Sequence, residues 1–283
     1  MSNLPIPVQG PFTRAQSTAI LNLVRRAARA EILPRFRKLD AGDIDTKSGP
    51  NDLVTAADTA AEAMIARGLQ MAFPSALVIG EEAASTSPAL TDGIAEAELC
   101  FLIDPVDGTW NFANGLPIFG TMIAACRFGR PVWGMIYDPT GDDAYIAAQD
   151  TDAVAGRRIL KTAADKPLDQ LLGYAHFSLM PQADKAYAAG RMSRFLSISN
   201  LRCSAHEYRL LAQGAVDFIL SGKMTPWDHA AGVLLCQRAG GHAAMLDGSE
   251  YTAALPDSYL LCASSKAVWD KVAAELAGLL SAD

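Results

Sequence analysis

The sequence predicts an α/β protein of the layered α+β kind, and three observations carry that expectation. Apolar residues recur at a spacing of three to four in several separate segments, as helices with one buried face require. Short apolar runs bounded by Gly, Pro and Asp lie between them, as strands require. Half of the 283 residues are hydrophobic and 19% are charged, which is enough apolar material to fill the cores between several layers.

Taken in order, residues 13–37 place Ile20, Leu23, Val24, Ala27 and Ala28 at helical spacing behind a candidate N-cap, Thr13, with a bend expected near Pro34. "DTAAEAMIARGLQMAF" (58–73) reads as a second amphipathic helix. "ALVIGEE" (76–82) reads as a short strand ending in Gly and two acids, followed by a polar loop over 83–92. "LCFLI" (99–103) reads as a buried strand that Pro105 helps to end, because proline brings no donor to a ladder. "IFGTMIAACRFG", "PVWGMIYDP" and "DDAYIAAQ" read as antiparallel neighbours. Beyond about residue 155 the order is a strand in "QLLGYAHF", helices over 181–196 and 204–214, and a strand in "AVDFILS". The helix "WDHAAGVLLCQRAG", the strands "GHAAML" and "SYLLCAS", and the helix "KAVWDKVAAELAGLL" complete the chain. Turn-rich "QDTDAVAGRR" marks the expected join between an N-terminal subdomain, 1–155, and a C-terminal one, 156–283.

The net charge is −7 and no run of Lys and Arg exceeds a pair, so a nucleic-acid partner is not expected. The opening "MSNLPIPVQGPFTR" lacks a basic-then-apolar signal, and no window approaches 18 unbroken apolar residues. No membrane association and a cytoplasmic location are therefore expected. Cys100, Cys126, Cys203, Cys236 and Cys262 are scattered without a CxxC and read as buried free thiols. His176, His206, His229 and His242 stand apart and offer no zinc spacing.

The acids are the feature that composition leaves unexplained. Asp58 begins a helix, Glu81 and Glu82 follow one strand, Asp104 and Asp107 end another, and Asp228 sits in the first turn of a helix. Any one of them has a plain role, completing a turn or complementing a helix dipole. Ends of strands and starts of helices are also where α/β sites assemble. Several carboxylates brought within a few ångströms raise one another's pKa unless cations compensate them. Hard oxygen ligands suit Mg²⁺, and carboxylate sites of that kind most often act on phosphate esters. In "DPVDGT" a turn at Pro105 lets Asp104 and Asp107 face one cavity with the Val106 carbonyl between them. Gly108 then permits close backbone approach, and Thr109 starts a short helix whose free N–H groups suit phosphate oxygens.

Four segments, "KSGPNDLVTAAD" (47–58, with Lys47 and Asp58), "GEE" (80–82), "DPVDGTWNF" (104–112) and "WDHAAGVLLCQRAGG" (227–241), occur in one order along the chain. In these the sequence resembles the inositol-monophosphatase family of Mg²⁺-dependent, lithium-sensitive phosphomonoesterases. The resemblance implies an αβαβα sandwich of the inositol-monophosphatase/fructose-bisphosphatase type, usually a homodimer. It implies two to three Mg²⁺ per site: one held by Glu81, Asp104 and the Val106 carbonyl, a second by Asp104, Asp107 and Asp228, and a weaker third reached by Glu81 and waters. Thr109, Asp58 and Glu81 would polarise the attacking water. Asp107, Gly108, Thr109, Arg202, Ser204, Ser221 and Asp228 would contact the substrate, a small phosphorylated metabolite attacked in line by metal-activated water. Glu82 would only shape its loop.

Two departures concern the substrate. Ser221 stands where inositol-specific members carry a glutamate for ring hydroxyls, and "RCSA" (202–205) replaces a segment of small residues. Arg202, His206, Arg209 and Lys223 then either line a pocket that prefers a second anionic group or are helix-surface charges. Inositol phosphate, histidinol phosphate, a sugar bisphosphate and a 3′(2′),5′-bisphosphate nucleotide all stay open as substrates. The alternative of another class is a non-catalytic or moonlighting partner-binding protein on the same fold.

Overall fold

The structure is a computed structural model that describes residues 12–49, 52–256 and 258–280. The expected absence of a targeting signal concerns mainly residues 1–11, outside the described ones. Thr13 caps α1 (Arg14–Ala27) in a reciprocal box with Gln16. A wider, π-type turn continues it over Ala28–Ile32, so the helix ends before Pro34 instead of bending there, as a residue without an N–H dictates. A hairpin of β1 (Ile44–Gly49) and β2 (Asp52–Thr55) leads into α2 (Ala56–Ala72), which Thr55 caps together with Asp58.

Two expectations need correcting where the next strands end. β3 spans Leu77–Gly80, and Glu81 and Glu82 form the first turn of a helix, α3 (Glu81–Thr86), in what was expected to be strand end and loop. The cause is non-local: the Glu62 carboxylate of α2 accepts from the amides of Glu82 (2.8 Å) and Ala83 (2.9 Å) and caps the helix from outside. A Cβ at Gly80 would lie 2.1 Å from the Glu62 carboxyl carbon, so glycine is what lets that carboxylate reach the helix start. β4 (Cys100–Asp107) runs on through Pro105, because its register against the next strand breaks between Asp104 and Asp107 and needs no donor from the proline. α4 (Thr109–Ala113) follows at once.

β5 (Gly120–Arg127), β6 (Arg130–Asp138), β7 (Asp143–Ala148), β8 (Val154–Ala155) and β9 (Arg158–Ile159) extend this sheet antiparallel, giving seven strands in the order β3 to β9, with only β3 and β4 parallel. The passage to the second sheet therefore lies over 160–171. That sheet is built from β10 (Leu172–Ala175), α5 (Gln182–Met192), β11 (Ser197–Ser199), α6 (Ser204–Ala212), β12 (Phe218–Ser221), α7 (Pro226–Arg238), β13 (His242–Met245), β14 (Leu260–Ala263) and α8 (Lys266–Leu276). Its strands lie in the order β11-β10-β12-β14-β13.

α1 and α2 cover one face of the seven-stranded sheet, where Val24, Ile65 and Leu69 join Phe101, Ile123 and Trp133 in a buried cluster. α6 and α7 fill the space between the two sheets: Ala230, Ala231, Leu234 and Leu235 share a cluster with Met122 and Ile136 of one sheet and Ile219 and Cys262 of the other. α7 is apolar nearly all round, as a helix enclosed on both sides must be. α5 and α8 cover the outer face of the second sheet through Ala188, Met192, Val268 and Val272. The layers are thus helix, sheet, helix, sheet, helix. All five cysteines are buried thiols, and among the described residues no helix is long and apolar enough to cross a membrane.

Candidate active site

The ends of β3 and β4 and the starts of α3, α4, α6 and α7 meet around a cavity of about 440 Å³. Glu81, Asp104, Asp107, Gly108, Thr109, Arg202, Ser204 and Asp228 all line it, so eight residues singled out from the sequence come together. At its base, carboxylate oxygens of Glu81, Asp104 and Asp228 lie within 4.8 Å of one another. Burial, then repulsion from Glu81, Asp107, Asp228 and Asp58, pushes the Asp104 carboxyl well above the usual range. Asp228 is raised by burial, although it accepts from the Thr225 hydroxyl at 2.6 Å. Lys47 offsets part of this charge, with its ammonium 2.8 Å from Glu81 Oε1 and 2.7 Å from Glu82 Oε1.

Asp107 stands slightly apart from that trio. Its Oδ2 accepts from the Ala205 amide at 2.5 Å and the Cys203 thiol at 3.0 Å, and burial followed by repulsion from Asp228 pushes its carboxyl up to about 7. Asp58 does not line the cavity. It is buried under α4 and accepts from the Thr55 hydroxyl (2.5 Å) and amide (2.9 Å), and burial pushes it up to about 6. The Thr109 hydroxyl lies 3.1 Å from Asp58 Oδ1 and 3.0 Å from the Val106 carbonyl, either of which takes its single proton. Gly108 has φ +87°, and a Cβ there would lie 2.8 Å from the Ile118 carbonyl, so both the conformation and the space require glycine.

The substrate-side expectations divide. Arg202 and Lys223 line the cavity, with the Arg202 guanidinium 4.0 Å above the Trp110 ring. Ser221 does not. It is buried at the end of β12, where strand alternation turns it inward. His206 and Arg209 also stay away from the cavity, because α6 turns them elsewhere: His206 Nε2 meets the Phe119 carbonyl at 3.1 Å, and Arg209 pairs with Asp138 at 3.4 Å. His176 was missed. It lines the cavity at the end of β10, buried, with Nε2 at 2.5 Å from Glu207 Oε2. Its signal was a histidine directly after a strand, in "QLLGYAHF". The Glu207 partner, on a helix 31 residues later, gave none. Asn111 ties α4 to the 200–203 loop by donating to the Leu201 carbonyl at 2.8 Å.

Residues 14–281 match the inositol monophosphatase family. The chain belongs to that family. The Nus factor SuhB of Pseudomonas aeruginosa is 31% identical over 240 residues, covering 81% of this chain and 86% of its own. An inositol-1-monophosphatase of Mesorhizobium japonicum is 30% identical over 249 residues, covering 82% and 88%. The solved structure of a Thermotoga maritima IMPase superposes with a TM-score of 0.79 at 21% identity, covering 94% of this chain and 98% of that one. The five-layer architecture is therefore that of the inositol monophosphatases.

Glu62 holds the start of α3, and so Glu81, in place. Glu62→Ala is expected to cost about 1 kcal/mol or more of stability, as lost N-caps do. Thermal melting checks this, and an unchanged melting temperature would show that α3 needs no such cap.

Proposed function

We propose that this chain hydrolyses a small phosphate monoester in a Mg²⁺-dependent reaction, releasing an alcohol and inorganic phosphate. The observation that carries the reading is the Glu81, Asp104 and Asp228 cluster within 4.8 Å, with the Thr109–Asp58 hydrogen bond in the loop beside it. The residues fit the metal: every donor is a hard oxygen, and burial with mutual repulsion makes the cluster unfavourable without a cation. Glu81, Asp104 and Asp228, with Asp107 and the Val106 carbonyl, would hold two to three Mg²⁺. When bound, Mg²⁺ stabilises charge on the phosphate and lowers the pKa of water.

The chain's own groups then orient the reactants. Asp58, fixed by Thr55, accepts the Thr109 proton. That leaves the Thr109 oxygen free to accept a hydrogen from the attacking water and hold one lone pair on phosphorus. Gly108 and Thr109 seat the phosphate. The water oxygen bonds to phosphorus as the ester P–O bond breaks, and the proton that the water gives up ends on the leaving alcohol oxygen. A homodimer and a cytoplasmic setting belong to the same reading.

A phosphate-release screen over inositol 1-phosphate, histidinol phosphate, sugar bisphosphates and 3′,5′-bisphosphate nucleotides tests it, with Mg²⁺ and with or without Li⁺. Turnover that requires Mg²⁺ and falls with Li⁺ is expected. Thr109→Ala is expected to cut the rate about a hundredfold and Thr109→Ser to retain most of it, as loss of a proton-positioning group does. A second reading rests on the relative named Nus factor SuhB: a role carried by partner binding. Folded, Mg²⁺-binding protein that releases phosphate from none of these esters would favour it.

A further inference from the structure

Three basic side chains, His176, Arg202 and Lys223, line the same cavity as the acid cluster. His176 is only 6% exposed, and its Nε2 is fixed by Glu207. Among the described residues nothing hydrogen-bonds its Nδ1. A ring nitrogen left unpartnered on a cavity wall is open to whatever occupies the cavity. Glu207 is wholly buried, and its other oxygen accepts from the Leu201 amide at 2.8 Å, so one carboxylate fixes both the histidine and the loop that carries Arg202. Arg202 itself holds φ +55°, a conformation non-glycine residues keep only where their surroundings impose it. Lys223 is exposed at the cavity, and its ammonium makes no ion pair among the described residues.

We propose that His176, Lys223 and Arg202 form a subsite for a second anionic group, so that the ester hydrolysed here carries a carboxylate or a further phosphate on its alcohol portion. This rests on the phosphatase reading above. The competing role for these cations is to balance the carboxylates, and Lys223 and His176 do act on Asp228. Bound Mg²⁺ removes that demand and leaves both available to a ligand. The cavity, at about 440 Å³, has room for more than a phosphate group.

The test uses two matched pairs: fructose 1-phosphate against fructose 1,6-bisphosphate for a second phosphate, and glycerol 3-phosphate against 3-phosphoglycerate for a carboxylate. Affinity is read by calorimetry with Ca²⁺ in place of Mg²⁺, so that it does not depend on turnover, and kcat/KM is read with Mg²⁺. The doubly anionic member of at least one pair is expected to bind about tenfold tighter, as a charge-assisted contact provides, and the pair that shows it identifies the anion. Lys223→Gln and Arg202→Gln are each expected to cut that preference about fivefold. His176→Gln tests the buried wall, and the two exposed variants keep the test valid if it fails to fold. Equal affinities within both pairs, or a preference that all folded variants retain, would overturn the subsite. Preferential binding without phosphate release would sink the phosphatase reading instead. Release without preference would sink only the subsite.

Discussion

Asp104→Asn is expected to lower Mg²⁺-dependent phosphate release by about a thousandfold or more while the protein stays folded. Asp104 is the most enclosed of the three clustered carboxylates, 2% exposed. An amide keeps its shape and can keep the hydrogen bond that Asp104 Oδ1 accepts from the Val106 amide at 3.1 Å, but it removes the charge that binds a cation. A loss of about 4 kcal/mol of transition-state stabilisation corresponds to that rate. Removing one of several repelling carboxylates also relieves the metal-free protein, so the variant is expected to melt higher than the parent at neutral pH without Mg²⁺. Steady-state assays and melting curves on the same preparation check both statements, and a rate within tenfold of the parent would end the metal-centre reading.

Stability without metal is expected to fall as pH rises from about 4 to 8. Burial and neighbouring charge push Asp58 up to about 6, and Glu82 and Asp107 up to about 7. A carboxyl raised in the folded state favours folding fully below its unfolded pKa, and that contribution is lost as pH climbs through the folded value. Each such group accounts for roughly 3 to 4 kcal/mol, and coupling among neighbours makes the sum smaller than three times that. Lys47 does not share in this loss. Burial pulls it down, but Glu81 and Glu82 more than offset that and keep it charged across the range. Mg²⁺ is therefore expected to raise the melting temperature far more at pH 8 than at pH 5. Calorimetric scans in EDTA and in Mg²⁺ at the two pH values give the comparison, and an equal rise at both would contradict the charge-cluster account.

The site was legible in the sequence where its chemistry is written in adjacent residues. "DPVDGT" gives the strand end, the acids, the glycine and the hydroxyl in one stretch, and Asp104, Asp107, Gly108 and Thr109 do line one cavity. What the sequence concealed depends on partners far along the chain. α3 was invisible because its cap, Glu62, lies on the preceding helix instead of beside it. Pro105 misled because the ladder irregularity that accommodates it is a property of two strands, not one. The basic residues were sorted by helix phase, which composition does not reveal: α6 faces His206 and Arg209 into protein, while Arg202 and Lys223 lie outside any helix and reach the cavity. Trp110, in the same "DPVDGTWNF" stretch, is the surface on which Arg202 lies.

The position of α7 bears on how the chain is made. The helix that closes one face of the first sheet comes from residues 226–238, long after the strands it covers have left the ribosome. Until α6 and α7 have been made, Met122, Ala124 and Ile136 lack the layer that covers them, and at ordinary rates of synthesis that interval lasts several seconds or more. Asp228 arrives on the same helix, so the cluster of Glu81, Asp104 and Asp228 is complete only when the sheet is covered. A nascent chain halted near residue 160 is therefore a natural client for chaperones, and Mg²⁺ would not rescue it.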